Sequence, residues 1–327
     1  MYTISALQDI FNAEIEKESN RLISSGPNNL YAPVKYALSM GGKRIRPVMV
    51  LLSYNLFAND VENALPAALA IEIFHNFTLL HDDIMDAAEM RRNKPTVHAE
   101  FNNNAAILSG DAMSFISFQY LLKSKSEKLI DVIRLFADTA VEVCEGQQYD
   151  MDFEQRVDVS EAEYMGMIRL KTAALLGCSL KAGALLANAS DKISDELYRF
   201  GIALGIAFQL QDDLLDTFGD EEAFGKKIGG DIVSNKKTYL LIKAFELAGQ
   251  AQKKELLYWV GRKKFDRGEK VTAVKKVFAG LKVEEKTLGM VEAYFQSAIS
   301  CLKSLGIDEG KKKQLLLLSQ TLLKRNR

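Results

Sequence analysis

The sequence predicts an all-α protein, and three observations lead there. All five prolines (Pro27, Pro33, Pro47, Pro66, Pro95) fall within the first 95 of 327 residues. Proline breaks helix interiors, so the long proline-free remainder has room for many packed helices. Apolar residues recur at threes and fours rather than twos, as in Ile71, Phe74 and Leu79 and in Leu170, Ala174, Leu175 and Cys178. Asn-Gly and Asp-Gly hairpin signals are absent, as are runs of alternating β-branched residues.

In chain order, Val48–Leu56, Ile71–Leu80, Ala112–Leu122, Thr172–Leu186 and Phe200–Leu210 are apolar on nearly every face. Such helices belong in a core, so these five should form a central bundle. Glu161–Lys171 and Val271–Lys286 are amphipathic and should pack outside it. Ser24–Ala32 and Gly219–Asn235 read as loops, and Lys311–Arg327 as a short Leu-rich helix with charged ends. No Ser/Pro/Gly linker divides the chain, so residues 1–327 are expected to form a single domain.

Charge and cysteine usage exclude several functions. Forty-two Lys and Arg balance 43 Asp and Glu, which argues against a general electrostatic grip on nucleic acid or anionic membrane. Cys144, Cys178 and Cys301 lie far apart without CxxC spacing, so neither a disulfide framework nor a zinc site is indicated and a reducing cytoplasm fits. Asp9, Glu14 and Glu16 interrupt the N-terminus where a signal peptide needs an apolar stretch. The longest uncharged stretches, such as Pro47 to Asn59, fall short of the about 18 residues that suggest a membrane span.

The informative feature occurs twice. Ile71–Leu80 runs into His81-Asp82-Asp83-Ile84-Met85-Asp86, and Phe200–Leu210 into Gln211-Asp212-Asp213-Leu214-Leu215-Asp216. Each is an apolar helix ending in DDxxD. Helical residues four apart share a face, which pairs Asp82 with Asp86 and Asp212 with Asp216. Like charges so placed repel by roughly 0.2–0.5 kcal/mol per pair, and carboxylates near a helix C-terminus oppose its dipole. Something cationic should compensate. A solvated acidic face explains one such cluster, but two at the ends of buried helices favour metal binding. Oxygen ligands without His or Cys suit Mg²⁺ or Mn²⁺. Mg²⁺ is usually held by one or two carboxylates completed by substrate phosphates, so the pattern calls for a phosphorylated ligand between two helices.

Basic residues supply the other half. Gly41-Gly42-Lys43-Arg44-Ile45-Arg46-Pro47 combines glycines with three cations, Arg91-Arg92 follows the first cluster, and Lys171-Thr172 closes an amphipathic segment. Gly225-Lys226-Lys227-Ile228-Gly229-Gly230-Asp231 follows the second. Arg suits forked recognition of phosphate, and Lys acts on it as a point charge. Each alone reads as surface charge; the combination carries the argument. Of the three histidines, His81 and His98 read as satisfied side chains, whereas His75 lies two turns before Asp82 on one face.

At this point the chain resembles a trans-isoprenyl diphosphate synthase of the polyprenyl synthetase family, from about Ala32 to Leu240. GGKRIRP resembles that family's homoallylic diphosphate site, and HDDIMDAAEMRRNKPTVH its first aspartate-rich motif. GQQYDM (146–151), KT (171–172), FQLQDDLLD (208–216) and GKKIGGD…NKKT (225–238) resemble the remaining landmarks in order. The resemblance implies a single helical bundle around a deep central cavity, usually homodimeric. It implies that Asp82, Asp86 and Asp212 bind Mg²⁺, with Asp83, Asp213 and Asp216 in support. The allylic diphosphate would be held with help from Arg91, Lys171, Lys226 or Lys227, and Lys236. Isopentenyl diphosphate would be held by Gly42, Lys43, Arg46, His75 and Arg92, with Thr172 and Gln209 lining the reacting centre. The implied reaction is ionisation of the allylic C–O bond, attack by the isopentenyl double bond and loss of a proton, behind walls that exclude water.

Product length would be set by Phe77 and Thr78, five and four residues before Asp82. In the resembling family, bulky side chains there form the floor of the cavity. A Phe at 77, a small Thr at 78 and no insertion within Asp82–Asp86 resemble enzymes making C20 geranylgeranyl diphosphate, with C15 farnesyl diphosphate next and longer polyprenyl products as the alternative. Phe74, Met113 and Phe118 could narrow the same pocket. A class I terpene cyclase would need a different second motif and no GGKRIRP. A non-catalytic partner subunit should lack carboxylates that this chain retains. A helical phosphohydrolase would use His-Asp clusters.

Overall fold

The computed structural model describes residues 1–24, 26–219 and 228–323. The described chain is helical, as expected, apart from one two-stranded hairpin. It divides into two compact units.

The first unit comprises Met1–Ala137, Cys178–Tyr198 and Gly306–Leu315. It contains α1 (Ile4–Ile23), α2 (Asn28–Ser39), α3 (Ile45–Asn55), α4 (Leu65–Met85), β1 (Met90–Arg91), β2 (Lys94–Pro95), α5 (Val97–Glu100) and α6 (Asn103–Leu121). Parts of α7 (Leu129–Glu154), α9 (Ala174–Leu186), α10 (Asp191–Phe218) and α16 (Glu309–Leu323) also belong to it. Its core is built on α3, where Val48 to Leu52 are fully enclosed, and on Ala67 to Phe74 of α4. A methyl at Gly183 of α9 would lie 2.2 Å from the Val50 carbonyl. Glycine there lets two backbones touch, and the Ser53 hydroxyl donates to the Leu180 carbonyl across the same contact.

The second unit comprises Asp138–Gly177, Arg199–Leu305 and Leu316–Arg327. It takes the rest of those shared helices and α8 (Glu161–Ile168), a π turn (Arg169–Ala173), α11 (Gly230–Ser234), α12 (Tyr239–Leu247), α13 (Gln250–Gly261), α14 (Arg267–Gly280) and α15 (Val283–Ser304). Its core gathers Tyr164, Leu210, Tyr239, Leu240, Trp259 and Phe278. Ser160 and Glu163 form a reciprocal capping box at α8, while Thr238 and Asp266 cap α12 and α14.

Five sequence expectations need correction. The Ser24–Ala32 stretch is not all loop, because α2 begins at Asn28 directly after Pro27; the turn-forming residues are a helix start. Val271–Lys286 is two helices, broken at Leu281–Lys282, where Lys282 takes φ 53°. Ala112–Leu122 is not apolar all round a buried helix, since Phe115 and Leu122 of this stretch are 72% and 60% exposed. The hairpin was not anticipated, because its turn residues Arg92 and Asn93 are both left-handed (φ 52° and 61°) without a glycine. The Gly219–Asn235 loop holds α11, and its residues 220–227 lie outside the described chain. The Leu-rich C-terminal helix is present as α16. No described helix is long and apolar enough to cross a membrane.

Candidate active site

The first acidic cluster terminates α4. The helix starts with Pro66 in its first turn, runs through a buried Ala/Leu/Ile stretch and stops at Asp86. The N–H groups of Ala87 and Ala88 bond back to the carbonyls of Ile84 and Asp83, with Ala87 left-handed at φ 49°. This is the pairing of a Schellman cap with alanine where glycine is usual. The three aspartates therefore have different surroundings. Asp82 is half-buried and Asp86 exposed, whereas Asp83 is buried. Asp83 accepts Arg91 Nε at 2.9 and 2.7 Å, and Arg91 Nη2 lies 2.7 Å from its Oδ1. Burial disfavours the Arg91 charge, but the Asp83 carboxylate outweighs it and holds the guanidinium pKa above its ordinary value. Arg91 Nη2 also lies 4.0 Å from Asp82 Oδ2.

The glycine-rich segment before α3 brings two arginine environments together. Gly42 takes φ +127°, and a methyl on it would lie 2.6 Å from Arg92 Nη1. Arg92 donates from Nη1 to the Gly41 carbonyl. Arg44, at φ 50°, is enclosed and donates to Glu72 Oε1 at 2.5 Å and to the Leu38 carbonyl at 2.9 Å. Of the three cations read from this motif, Arg44 is therefore part of the core. Arg46 Nη1 donates to His75 Nε2 at 3.1 Å. Burial, and then the guanidiniums of Arg46, Arg92, Arg91 and Arg44, hold the His75 pKa well below its ordinary value. The ring is neutral and accepts at Nε2, which puts its proton on Nδ1. His81 faces the Ile107 carbonyl, and His98 the Thr96 hydroxyl, as satisfied side chains.

Below Asp82 lies an aromatic stack. Phe77 packs on Phe74 (centroids 5.4 Å), Phe74 on Phe136 (5.3 Å) and Phe136 on Phe118 (5.0 Å). The Thr78 hydroxyl turns back onto the His75 carbonyl. Phe136 carried no sequence signal, because its role depends on α7 meeting α4.

The second cluster, on α10, repeats the pattern. Asp212 and Asp216 are half-buried, and Asp213 is buried. Asp213 accepts the Tyr164 hydroxyl and, at 3.1 Å, Gln209 Nε2. Gln209 Oε1 in turn accepts Thr172 Oγ1 at 3.0 Å. Burial raises the Asp213 pKa, with Lys236, Tyr164 and Gln209 pulling it back. Asp216 Oδ2 accepts the Asp231 N–H at 2.9 Å and so anchors the start of α11. Asp231 is pushed up to about 7, by burial first; Lys236 opposes that rise, and Asp213, Asp216 and Asp150 add to it.

Lys171 and Thr172 sit on the π turn, where the helix widens. Lys171 Nζ reaches Asp150 Oδ2 at 2.6 Å. Lys236 stands among Asp213 and Asp231. Lys237 instead points inward, to the Glu154 and Asn235 carbonyls. Lys226 and Lys227 lie outside the described residues. Asp150, Tyr164 and Asp231 were given no role from sequence, although Asp150 and Asp231 stand inside motifs that were read. Among the described residues no three His, Cys, Asp or Glu side chains converge to hold a metal unaided. Carboxylate pairs, with the neighbouring His81 turned to the Ile107 carbonyl, fit a hard cation completed by phosphate and water.

The polyprenyl synthetase family model matches residues 27–278. The chain is 42% identical over 237 residues to a short chain isoprenyl diphosphate synthase of Methanocaldococcus jannaschii, covering 72% of each chain. It is 41% identical over 222 residues to a geranylgeranyl diphosphate synthase of Methanosarcina mazei, covering 67% of this chain and 68% of that one. A crystal structure of a geranylgeranyl pyrophosphate synthase superposes with a TM-score of 0.94 at 43% identity, over 100% of both chains. The motif order, the fold and these likenesses agree, and the chain belongs to the polyprenyl synthetase family.

Proposed function

We propose that this trans-prenyltransferase condenses isopentenyl diphosphate with an allylic diphosphate to give a short trans-prenyl diphosphate, C20 before C15. One observation carries the reading. Each unit carries DDxxD at the end of a core helix, with the middle carboxylate bound inward (Asp83 to Arg91, Asp213 to Tyr164 and Gln209) and the i, i+4 pair standing together on one face near the helix terminus. Asp82, Asp86, Asp212 and Asp216 would hold Mg²⁺, or Mn²⁺ in its place. When bound, the divalent ions supply electrostatic stabilisation of departing diphosphate.

The protein's own groups do the rest. Lys171, Lys236 and one of Lys226 and Lys227 hold the allylic diphosphate. Arg91 belongs to the same set by family resemblance, and its Nε and Nη2 edge grips Asp83. Lys43, Arg46 and Arg92 hold isopentenyl diphosphate, with neutral His75 orienting Arg46 and Gly42 letting the backbone approach. Thr172 and Gln209, locked to each other, face the reacting carbon. The proton lost at the end passes to the released diphosphate.

The aromatic stack supports a short product. Phe77 lies five residues before Asp82, about 7.5 Å deeper along the helix, and Phe74, Phe136 and Phe118 brace it from behind. Phe77→Ala is expected to extend the main product by at least one five-carbon unit, read by chromatography of the dephosphorylated alcohols. An unchanged product distribution would place the floor elsewhere.

A cytoplasmic homodimer is the assembled form. Leu108, Phe115 and Leu122 follow one another at seven-residue spacing on or just beyond α6 and are 60%, 72% and 60% exposed, a row of large apolar side chains of the kind that an interface covers. Phe115→Glu is expected to shift the sedimentation coefficient from dimer to monomer; an unshifted dimer rejects this face. The functional reading is tested by incubating the protein with Mg²⁺, isopentenyl diphosphate and C5, C10 or C15 primers. A C20 limit supports both activity and ruler, longer products reject the ruler, and no condensation with any primer rejects the activity.

A further inference from the structure

Beyond Leu240 no motif is read from the sequence, yet α14 grips the segment that carries Asp231 and Lys236. Arg267 Nη2 donates to the Ile228 carbonyl at 3.1 Å, at one end of that segment. Val271 packs against Gly229, where a methyl would lie 2.8 Å from Val271 Cγ2 and where φ is +80°. At the other end Lys270 Nζ donates to the Val233 carbonyl at 3.1 Å and to Asn235 Oδ1 at 2.7 Å. Asn235 itself is left-handed, at φ 58°, and its amide donates to the Val260 carbonyl at 3.2 Å.

Lys270 is unusual for a lysine. It is 1% exposed, its ammonium lies 4.2 Å from the Phe265 ring centroid, and the acceptors recorded for it are amide oxygens rather than carboxylates. Burial lowers its pKa. An enclosed cation satisfied only by neutral groups is a poor way to stabilise a core, because an apolar side chain of the same length avoids the desolvation cost. What the ammonium does supply is direction. It fixes the carbonyl that ends α11 and the side chain of the left-handed residue immediately before Lys236. The Lys236 N–H in turn closes onto the Asp231 carbonyl at 2.9 Å, so the backbone of both functional residues is set by the Lys270 contacts.

We propose that Lys270 is a positioning residue for the diphosphate-binding segment Gly229–Lys236, acting through Asn235 and Val233 rather than touching substrate. The inference rests on the reading of Lys236 as a ligand of the allylic diphosphate.

Two variants isolate it. Lys270→Met keeps the length of the side chain and removes the donor. Asn235→Gly keeps the left-handed backbone and removes the acceptor. The expected result is a roughly tenfold or larger loss of affinity for a non-ionising allylic thiodiphosphate in titration calorimetry, from loss of a buried charge-assisted hydrogen bond. KM for the allylic substrate should rise in step, and KM for isopentenyl diphosphate should stay put. Lys270→Met strands the Val233 carbonyl and the Asn235 amide oxygen, so its melting temperature should fall modestly, with relief of the buried charge offsetting part of the loss. Because the two substitutions share only the Lys270–Asn235 bond, the loss in the double variant should fall short of the sum of the two single losses. Where Lys270→Met does not fold, Asn235→Gly alone carries the test. Wild-type binding with unchanged binding in the variants overturns the inference alone, as do parallel losses in both KM values and in melting temperature. Wild-type protein that binds no thiodiphosphate overturns the functional reading and this inference with it.

Discussion

Asp212→Ala is expected to lower condensation by ~10³-fold or more, the scale of removing a main electrostatic contributor to a charged transition state, with little change in melting temperature. Asp213→Ala, one residue on, should behave differently. Its carboxylate is enclosed and accepts both the Tyr164 hydroxyl and Gln209, so truncation strands two polar groups and costs about 1–3 kcal/mol for each left unsatisfied. The same contrast applies in the first unit. Asp82→Ala removes a half-buried carboxylate at the helix end, whereas Asp83→Ala leaves Arg91 without its bidentate partner. Paired thermal melts and steady-state turnover on the four variants separate the two kinds of loss. Near-wild-type turnover in Asp212→Ala or Asp82→Ala would sink the metal assignment, and an unchanged melting point in both Asp83→Ala and Asp213→Ala would sink the structural role of the middle carboxylates.

That contrast marks how far the sequence could be read. Four-residue spacing paired Asp82 with Asp86 and Asp212 with Asp216 without any coordinates, because helix geometry alone puts them on one face. It could not say where the middle aspartate points, since that depends on Arg91 returning through a hairpin and on Tyr164 arriving from α8. The hairpin was illegible for a local reason: its two left-handed turn residues are Arg92 and Asn93, and arginine carries no turn signal. From its motif alone Arg44 looked like one of three equivalent cations; the family resemblance left it out of the isopentenyl diphosphate set, and its meeting with Glu72, 28 residues away, shows what it does instead. Helix identity survived better than helix face. The composition of Ala112–Leu122 reads as core, but Phe115 is among the most exposed apolar side chains of the described residues. Lys270 was illegible for the opposite reason. A lysine in a charged amphipathic segment reads as surface, and its burial is imposed by the loop that it holds.

Gly146→Ala is expected to damage stability and turnover together. A methyl on Gly146 would lie 2.3 Å from the Lys171 backbone nitrogen, 2.7 Å from its Cα and 2.9 Å from the Leu170 carbonyl carbon. All three atoms are backbone, so no side chain can swing aside, and α7 and the π turn must separate. Overpacking of this kind costs roughly 1–3 kcal/mol, occasionally more. The catalytic loss should exceed what that destabilisation explains. Asp150 follows Gly146 by about one turn on α7 and holds Lys171 Nζ at 2.6 Å, while Thr172, next along, holds Gln209. A shift of about 1 Å in groups that position a reacting carbon can cost ~10²-fold in rate. Gly166→Ala is the matching control, because nothing lies within 4 Å of the added methyl there and the site is inside α8. That substitution should stabilise by about 0.4–1 kcal/mol and leave turnover alone. Thermal melts and kcat for the two variants, measured side by side, decide the matter. If Gly146→Ala melts and turns over like Gly166→Ala, the π turn yields freely and the close approach of α7 is not what positions Lys171 and Thr172.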